Sequence, residues 1–204
     1  ATMKTLSAIL ICCFISTIQM YGENIQRPES ENYVKGVEAL NEGNPEAAYT
    51  YLNAEINEHP DNGYAHCYMA LICNFCNDTK LALQALNSSL ELIPEADTEY
   101  RSFAHYSRGV LLTNLKMWEH AEADLNEAIR LNPEDVENYK SRAQLYFETE
   151  RYEESLDDLT RALKLDSKAD VNDLVLQLMA VAPTSEFMER ITATYQQLDQ
   201  VTIH

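Results

Sequence analysis

Small and apolar residues recur along this chain at a nearly constant interval. In each repeat a small residue is followed twelve residues later by a second small residue, and four residues after that by a leucine. The intervals between repeats are 34, 39 and 34 residues, a length typical of stacked helical hairpins. The recurring positions are Gly36, Ala70, Gly109 and Ala143; Ala48, Ala82, Ala121 and Ser155; Leu52, Leu86, Leu125 and Leu159; and Ile56, Leu90, Ile129 and Leu163.

Helix geometry explains this pattern. A leucine and a branched residue four positions later lie on one face of a helix, so the second helix of each repeat has an apolar stripe. The small residues allow the two helices to approach closely, and stacking of neighbouring hairpins covers the remaining apolar faces. The breaks agree with this scheme. Gly43, Asn44 and Pro45 predict a helix stop, an N-cap and a first helical residue, while Pro60 and Pro94 end second helices.

The repeats resemble those of the tetratricopeptide repeat (TPR) family, whose 34-residue helix–turn–helix carries W-x2-L-G-x2-Y, A-x3-F, A and P. The first repeat departs most from that pattern, with Asn32, Ala39 and Glu55 at the Trp, Tyr and late Ala positions. The resemblance covers about Ser30 to Ser167 and implies an all-α, right-handed α-solenoid of about four TPR repeats with C-terminal capping helices. The fourth repeat agrees best, through Tyr139, Ala143, Tyr146, Tyr152, Leu159 and Ala162.

The same register predicts the domain organisation. A hydrophobic N-terminal segment covers residues 1–22, the repeats cover 23–167 and the capping helices cover 168–204. Terminal repeats need a more polar outer face, which suits the two degraded amphipathic stretches after Asp170. The individual repeats are predicted at about 29–62, 63–101, 102–135 and 136–169.

An apolar run near the start of the chain predicts export. Lys4 precedes the uncharged stretch from Leu6 to Ile18, and the first acidic residue is Glu23. This order is typical of a secretory signal, so we expect an exported bacterial protein that is periplasmic, secreted or surface-associated. Two alternatives stay open. The segment forms an uncleaved anchor that tethers a subunit of an envelope assembly, or it forms a helix buried in the fold.

The TPR resemblance also implies a binding surface, because first helices of TPR proteins line a concave groove that holds a peptide or a helix of a partner. The first three repeats are aromatic and aliphatic there, which favours an apolar or amphipathic ligand. Alternatively, the N-terminal segment, the C-terminal cap or a second copy in a homodimer fills the groove. Carried over position by position, the groove is lined by Tyr33, Val37, Leu40, Tyr64, Cys67, Leu71, Phe75, Phe103, Tyr106, Val110, Asn114, Lys140, Gln144 and Phe147.

One class of TPR ligand is disfavoured. Chaperone-binding members of the family hold a C-terminal carboxylate with a clamp of Lys and Asn side chains. None of the residues at the clamp positions of this chain is cationic, so the sequence does not favour a terminal carboxylate as the ligand. These residues are Tyr33, Val37, Tyr68, Phe103 and Ser107.

Charge excludes one further class of partner. The chain has 15 Lys and Arg against 33 Asp and Glu, a formal charge of −18. Such a chain has no cationic excess for nucleic acid phosphates, so we expect no nucleic-acid partner. Many acids fall on second helices, which predicts an acidic coat around a nearly uncharged groove. Examples are Glu119, Glu122, Asp124, Glu127, Glu153, Glu154, Asp157 and Asp158.

Few residues of the sequence are candidates for catalysis or metal binding. Cys73 and Cys76 form a CxxC pair, but the pair is predicted at the end of a first helix, where the helix dipole does not stabilise a thiolate. His66 and His105 occupy equivalent repeat positions, and with Cys67 they are candidate metal ligands. No other residues at the spacing of a metal site support this assignment. No phosphate loop, GxSxG or HExxH occurs. The sequence therefore predicts a binding protein without catalysis, cofactor or metal, with a thiol-redox or metal protein as the weaker alternative.

Overall fold

Helices occupy the amphipathic stretches in the computed structural model, which describes residues 25–182 and 184–201. These residues contain ten helices and no strand, which confirms the all-α prediction. The predicted signal segment at residues 1–22 lies outside the described residues. The helices are α1 Glu31–Asn41, α2 Pro45–Glu58, α3 Gly63–Phe75, α4 Thr79–Leu92, α5 Thr98–Asn114, α6 Trp118–Leu131, α7 Val136–Glu148, α8 Tyr152–Leu165, α9 Asn172–Val181 and α10 Ser185–Val201.

The chain divides into two compact units, Ala1–Arg108 and Gly109–His204, with the boundary inside α5. In the first unit α1 pairs with α2 and α3 pairs with α4. In the second unit α7 pairs with α8. Among the described residues, no helix has the length and apolar character that a membrane span requires.

Close contacts within hairpins involve the recurring small residues. A Cβ atom added to Gly36 would lie 2.7 Å from Cγ of Leu52, and one added to Gly109 would lie 2.7 Å from Cγ of Leu125. Both leucines are fully buried. The spacing of small residue and leucine therefore corresponds to a direct contact between the two helices of a hairpin, as the sequence predicts.

Each turn between the helices of a hairpin contains a residue in the left-handed region. These residues are Gly43, Asn77, Lys116 and Glu150, with φ of 71°, 61°, 59° and 60°. After α5, the amide of Lys116 donates to the carbonyl of Thr113, and the next amide donates to the carbonyl of Leu112. This pair of hydrogen bonds closes the helix end in a Schellman motif. The sequence predicts the feature only at Gly43, since the other three residues are not glycine.

The core of the second unit extends from α8 into α9 and α10. Leu159 of α8, Val175 and Leu178 of α9, and Phe187 and Ile191 of α10 are at most 1% exposed and belong to one apolar cluster. The last two helices therefore cover the open side of the last hairpin, as capping helices do.

Two of the acids assigned to a solvated coat are buried. Asp124 is 5% exposed and Asp158 is 6% exposed. Both oxygens of Asp158 accept hydrogen bonds from Arg142, each at 2.8 Å. Because a paired carboxylate can be buried at a hairpin interface, the prediction of a solvated coat is wrong for these two residues. It holds for exposed acids such as Glu119 and Glu153.

Candidate functional site

A non-helical segment before α1, residues 25–30, sends one side chain to the start of α5. The Arg27 guanidinium donates from Nε to Asp97 Oδ2 at 3.1 Å and from Nη2 to Asp97 Oδ1 at 3.3 Å. Nη2 also lies 3.2 Å from Glu99 Oε2. We call the receiving group, formed by Tyr64, Asp97, Glu99 and Tyr100, the arginine box. All of its members belong to the first unit.

Helix formation at α5 positions the carboxylate of the box. Asp97 directly precedes α5, and its Oδ1 accepts a hydrogen bond from the backbone amide of Tyr100 at 3.2 Å, which is N-cap geometry. Its Oδ2 accepts from the Tyr64 hydroxyl at 3.0 Å. Asp97 is only 1% exposed, yet both oxygens have hydrogen-bond donors. The partial positive charge at the helix N-terminus stabilises the carboxylate further.

Tyrosines form the apolar wall of the box. The ring of Tyr100 lies edge-on to that of Tyr64, with 4.8 Å between centroids. Cζ of Arg27 lies 4.6 Å from the Tyr100 centroid, within the range of a cation–π interaction. Behind this wall, the hydroxyls of Tyr68 and Tyr100 are 2.7 Å apart, and Tyr33 packs against Tyr68. The box thus presents a buried carboxylate beside an aromatic face.

Burial keeps the tyrosines of this region neutral. It is the largest cause that raises the pKa of Tyr33, Tyr64, Tyr68 and Tyr100 above the ordinary tyrosine value. For Arg27, burial opposes the charged form, but the hydrogen bonds and charge of Asp97 outweigh it, so its pKa is raised. The guanidinium is therefore charged at every physiological pH.

The groove residues predicted in the first unit are less exposed than an open apolar surface would be. Half-buried side chains remain at Val37, Leu71, Phe75 and Tyr106. The others are buried, with Tyr33 at 7%, Leu40 at 5%, Tyr64 at 5%, Cys67 at 0% and Phe103 at 9% exposure.

Two of the second-unit positions of the predicted groove are polar and paired within their own helix. Lys140 Nζ lies 2.8 Å from Glu137 Oε1, and Gln144 Nε2 lies 2.9 Å from Glu148 Oε1. Phe147 packs against Tyr152, with ring centroids 5.7 Å apart, and so is part of the hairpin interface. The last two predicted positions lie near the end of α5: Val110 is half-buried and Asn114 is exposed.

The cysteines offer little for thiol chemistry. Cys67 and Cys73 are buried, and Cys76 is exposed at the C-cap of α3. Burial raises the pKa of the Cys67 thiol to about 12 and also raises that of Cys73. A reactive thiol needs the opposite shift. The location of the pair at the end of a first helix agrees with the sequence-based expectation.

Metal-ligating side chains are not clustered in the part of the chain that the structure describes. No group of three or more His, Cys, Asp or Glu side chains there could hold a metal ion. Nε2 of His66, one of the two histidines considered as ligands, lies 3.0 Å from the carbonyl oxygen of Pro60.

Comparison with known proteins identifies the repeats. The tetratricopeptide repeat family model matches residues 104–135 and 137–168. Human tetratricopeptide repeat protein 6 is 25% identical over 143 residues, which cover 70% of this chain and 26% of that protein. The lipoprotein NlpI homolog of Haemophilus influenzae is 31% identical over 87 residues, which cover 43% of this chain and 28% of that protein. The matched region thus spans about a quarter of the length of these curated relatives.

Solved structures show the same fold. A structure of MamA from Desulfovibrio magneticus RS-1 superposes with a TM-score of 0.67 at 19% identity and covers 83% of this chain and 94% of that one. A second MamA structure gives a TM-score of 0.66 at 13% identity, covering 83% and 97%. At this level of identity the likeness establishes the fold alone. With the hairpin contacts described above, the matches identify two tetratricopeptide repeats, at residues 104–135 and 137–168, and support membership of the tetratricopeptide repeat family.

Proposed function

We propose that this protein is a non-catalytic interaction module that holds an extended or amphipathic segment of a partner protein against its first helices. TPR repeats are protein-interaction scaffolds, and the proposal assigns this general role to the side of the hairpins formed by α1, α3 and α5. The observation that supports it most directly is that a non-helical stretch of the chain itself, residues 25–30, places a side chain against Tyr100 of α5.

The half-buried apolar residues of α1, α3 and α5 support the same assignment. Val37, Leu71 and Tyr106 each keep part of an apolar side chain accessible to a ligand. Accessible apolar surface commonly contributes to binding, and a few well-packed aromatic anchors supply most of the binding energy.

Localisation in a bacterial envelope is part of the proposal. The apolar run from Leu6 to Ile18 supports export, and one relative is named a lipoprotein homolog. If the run is retained, it tethers the module to a membrane as a subunit of an envelope assembly. Mass spectrometry of the protein from its native host distinguishes the cleaved form from the form that retains the run, because only the latter yields peptides from residues 3–22.

Substitutions that place a charge on the first helices test the binding role. Val37→Glu and Tyr106→Glu should each reduce recovery of a specific partner from the native host by at least about tenfold, since a buried carboxylate opposes apolar packing. Tyr49→Glu and Leu81→Glu are matched controls, because both residues are exposed on second helices at 46%. Circular dichroism checks that each variant keeps its fold. Equal loss of the partner in the controls would contradict the proposal.

A further inference from the structure

The arginine box has the features of a receptor for a guanidinium group. Asp97 presents both oxygens to Arg27, at 3.1 and 3.3 Å, and Glu99 adds a third oxygen at 3.2 Å. Cζ of the same group lies over the Tyr100 ring, 4.6 Å from its centroid. A planar donor fork with an aromatic face beneath it is the geometry that distinguishes arginine from lysine.

We propose that the box is an exchangeable arginine-binding site, in which Arg27 is an intramolecular occupant that an arginine of a partner's extended segment replaces. The inference rests on the proposed function and names the side chain that the ligand contributes. It assigns residues 25–30 the role of a built-in competitor for that ligand.

The box keeps its structure when the guanidinium leaves. The amide of Tyr100 and the hydroxyl of Tyr64 continue to donate to Asp97, at 3.2 and 3.0 Å. Both donors belong to helices, whereas Arg27 comes from a non-helical segment. The vacated site therefore holds a preformed, buried negative charge that favours the return of a cation.

The occupant also has a route out of the site. The side chain of Arg27 is 24% exposed, while that of Asp97 is 1% exposed, so solvent reaches part of the arginine side chain but hardly reaches its carboxylate partner. Pro28 follows Arg27 and biases it towards an extended backbone, the conformation in which a peptide strand would present an arginine. Departure of the segment requires no helix to unfold.

Competition by Arg27 should weaken binding of any external arginine. A tethered group acts at an effective concentration that reaches the millimolar range. When Arg27 occupies the box most of the time, only the small fraction of molecules with an empty box can bind an external arginine, and the apparent affinity falls in proportion to that fraction. Removal of Arg27 should therefore strengthen binding in trans.

The experiment uses a fluorescent, end-blocked peptide with the sequence of residues 23–30, titrated against the full chain by anisotropy. Arg27→Ala should bind this peptide at least about tenfold more tightly than the unaltered chain. A peptide with citrulline in place of arginine keeps the shape without the charge, and it should bind at least about tenfold more weakly. Addition of Asp97→Asn to Arg27→Ala should remove the difference between the two peptides.

Several results would overturn the proposal. These are equal binding of the arginine and citrulline peptides, equal affinities of the unaltered and Arg27→Ala chains, or no binding at all. Arg27→Gln is measured in parallel because it keeps a polar side chain in the box. If both variants unfold, Arg27 is a permanent part of the structure, and exchange is excluded. A concentration-dependent dimer that disappears in Arg27→Ala would identify a second copy, rather than a partner protein, as the occupant.

Failure of this proposal is distinguishable from failure of the proposed function. If only the arginine site is wrong, Val37→Glu and Tyr106→Glu still reduce partner recovery while the peptide fails to bind. If the first helices do not bind a partner, the substitutions at Val37 and Tyr106 have no effect on recovery.

Discussion

Arg27 donates two hydrogen bonds to Asp97, a residue 70 positions further along the chain. The contact connects the segment before the first helix with the start of α5. Tyr64 of α3 donates a hydrogen bond to the same carboxylate. It lies outside the repeat pattern, because neither Arg27 nor Asp97 occupies one of the recurring small or apolar positions. We expect it to contribute to stability as well as to binding.

A double-mutant cycle measures that contribution. Arg27→Ala should lower the free energy of unfolding by about 1–3 kcal/mol, because Asp97 stays buried but keeps two donors. Asp97→Ala should cost more, about 3–5 kcal/mol, because it removes the N-cap of α5 and the shared carboxylate to which both Arg27 and Tyr64 donate. Urea titration of both single variants and the double variant gives the coupling energy.

A surface pair provides the control for this cycle. Arg130 and Glu127 also form two short hydrogen bonds, but both side chains are substantially exposed, at 67% and 36%. Surface pairs of this kind are weakly coupled. We expect their coupling to be much smaller than that of Arg27 and Asp97. Equal coupling energies for the two pairs would show that burial of Asp97 does not strengthen the contact.

Glycine at the left-handed turn positions should stabilise the fold. Lys116→Gly and Glu150→Gly remove a Cβ atom from residues with φ of 59° and 60°, and each should raise the free energy of unfolding by about 0.5–1 kcal/mol. The reverse change, Gly43→Ala at φ of 71°, should lower it by about 1 kcal/mol. Thermal and urea unfolding of the three variants test these signs. Destabilisation by both new glycines would mean that the gain in chain entropy on unfolding exceeds the relief of strain.

Close packing within a hairpin predicts a specific rescue. Gly109→Ala places a Cβ atom 2.7 Å from Leu125 and should cost about 1–3 kcal/mol of unfolding free energy. In the double variant with Leu125→Ala, the added methyl group has space, so it should cost less than it does alone. The same substitutions at Gly36 and Leu52 repeat the test in the first unit. Additive costs at both hairpins would indicate that glycine is needed there for another reason.

Burial predicts unequal reactivity of the three cysteines in the described part of the chain. At pH 8 the exposed Cys76 should react with iodoacetamide, while Cys67 should stay protected until the protein unfolds. Because burial raises the Cys67 pKa to about 12, its thiol stays protonated as the pH rises to 9 or 10. Peptide mapping by mass spectrometry reads out each site. Labelling of Cys67 in the folded protein at the rate of Cys76 would contradict the buried position.

The fold follows from the sequence because its determinants are local and periodic. The contact between Gly36 and Leu52 lies within one hairpin, and the same spacing recurs at Gly109 and Leu125. A helix stop and N-cap at Gly43 and Asn44 are likewise encoded by neighbouring residues, and Asn44 accepts a hydrogen bond from the amide of Ala47.

The arginine box is not predictable in this way. Its two halves are 70 residues apart, and no periodic signal links Arg27 to Asp97. Part of it has a local signal, because an Asp directly before Thr98 and Glu99 is a typical N-cap. The burial of Asp124 and Asp158 escapes prediction for a related reason. An acid on a second helix looks solvated until the position of its cationic partner, here Arg142 for Asp158, is known.

Site-resolved photo-crosslinking in the native host determines whether a partner protein binds on the first helices. Benzoylphenylalanine is introduced at Val37 and Tyr106 on first helices, and at Tyr49 and Leu81 on second helices as controls. Our prediction is that both first-helix positions crosslink to the same partner protein, while the second-helix positions do not. Crosslinks to that partner from Tyr49 and Leu81, with none from Val37 and Tyr106, would contradict it.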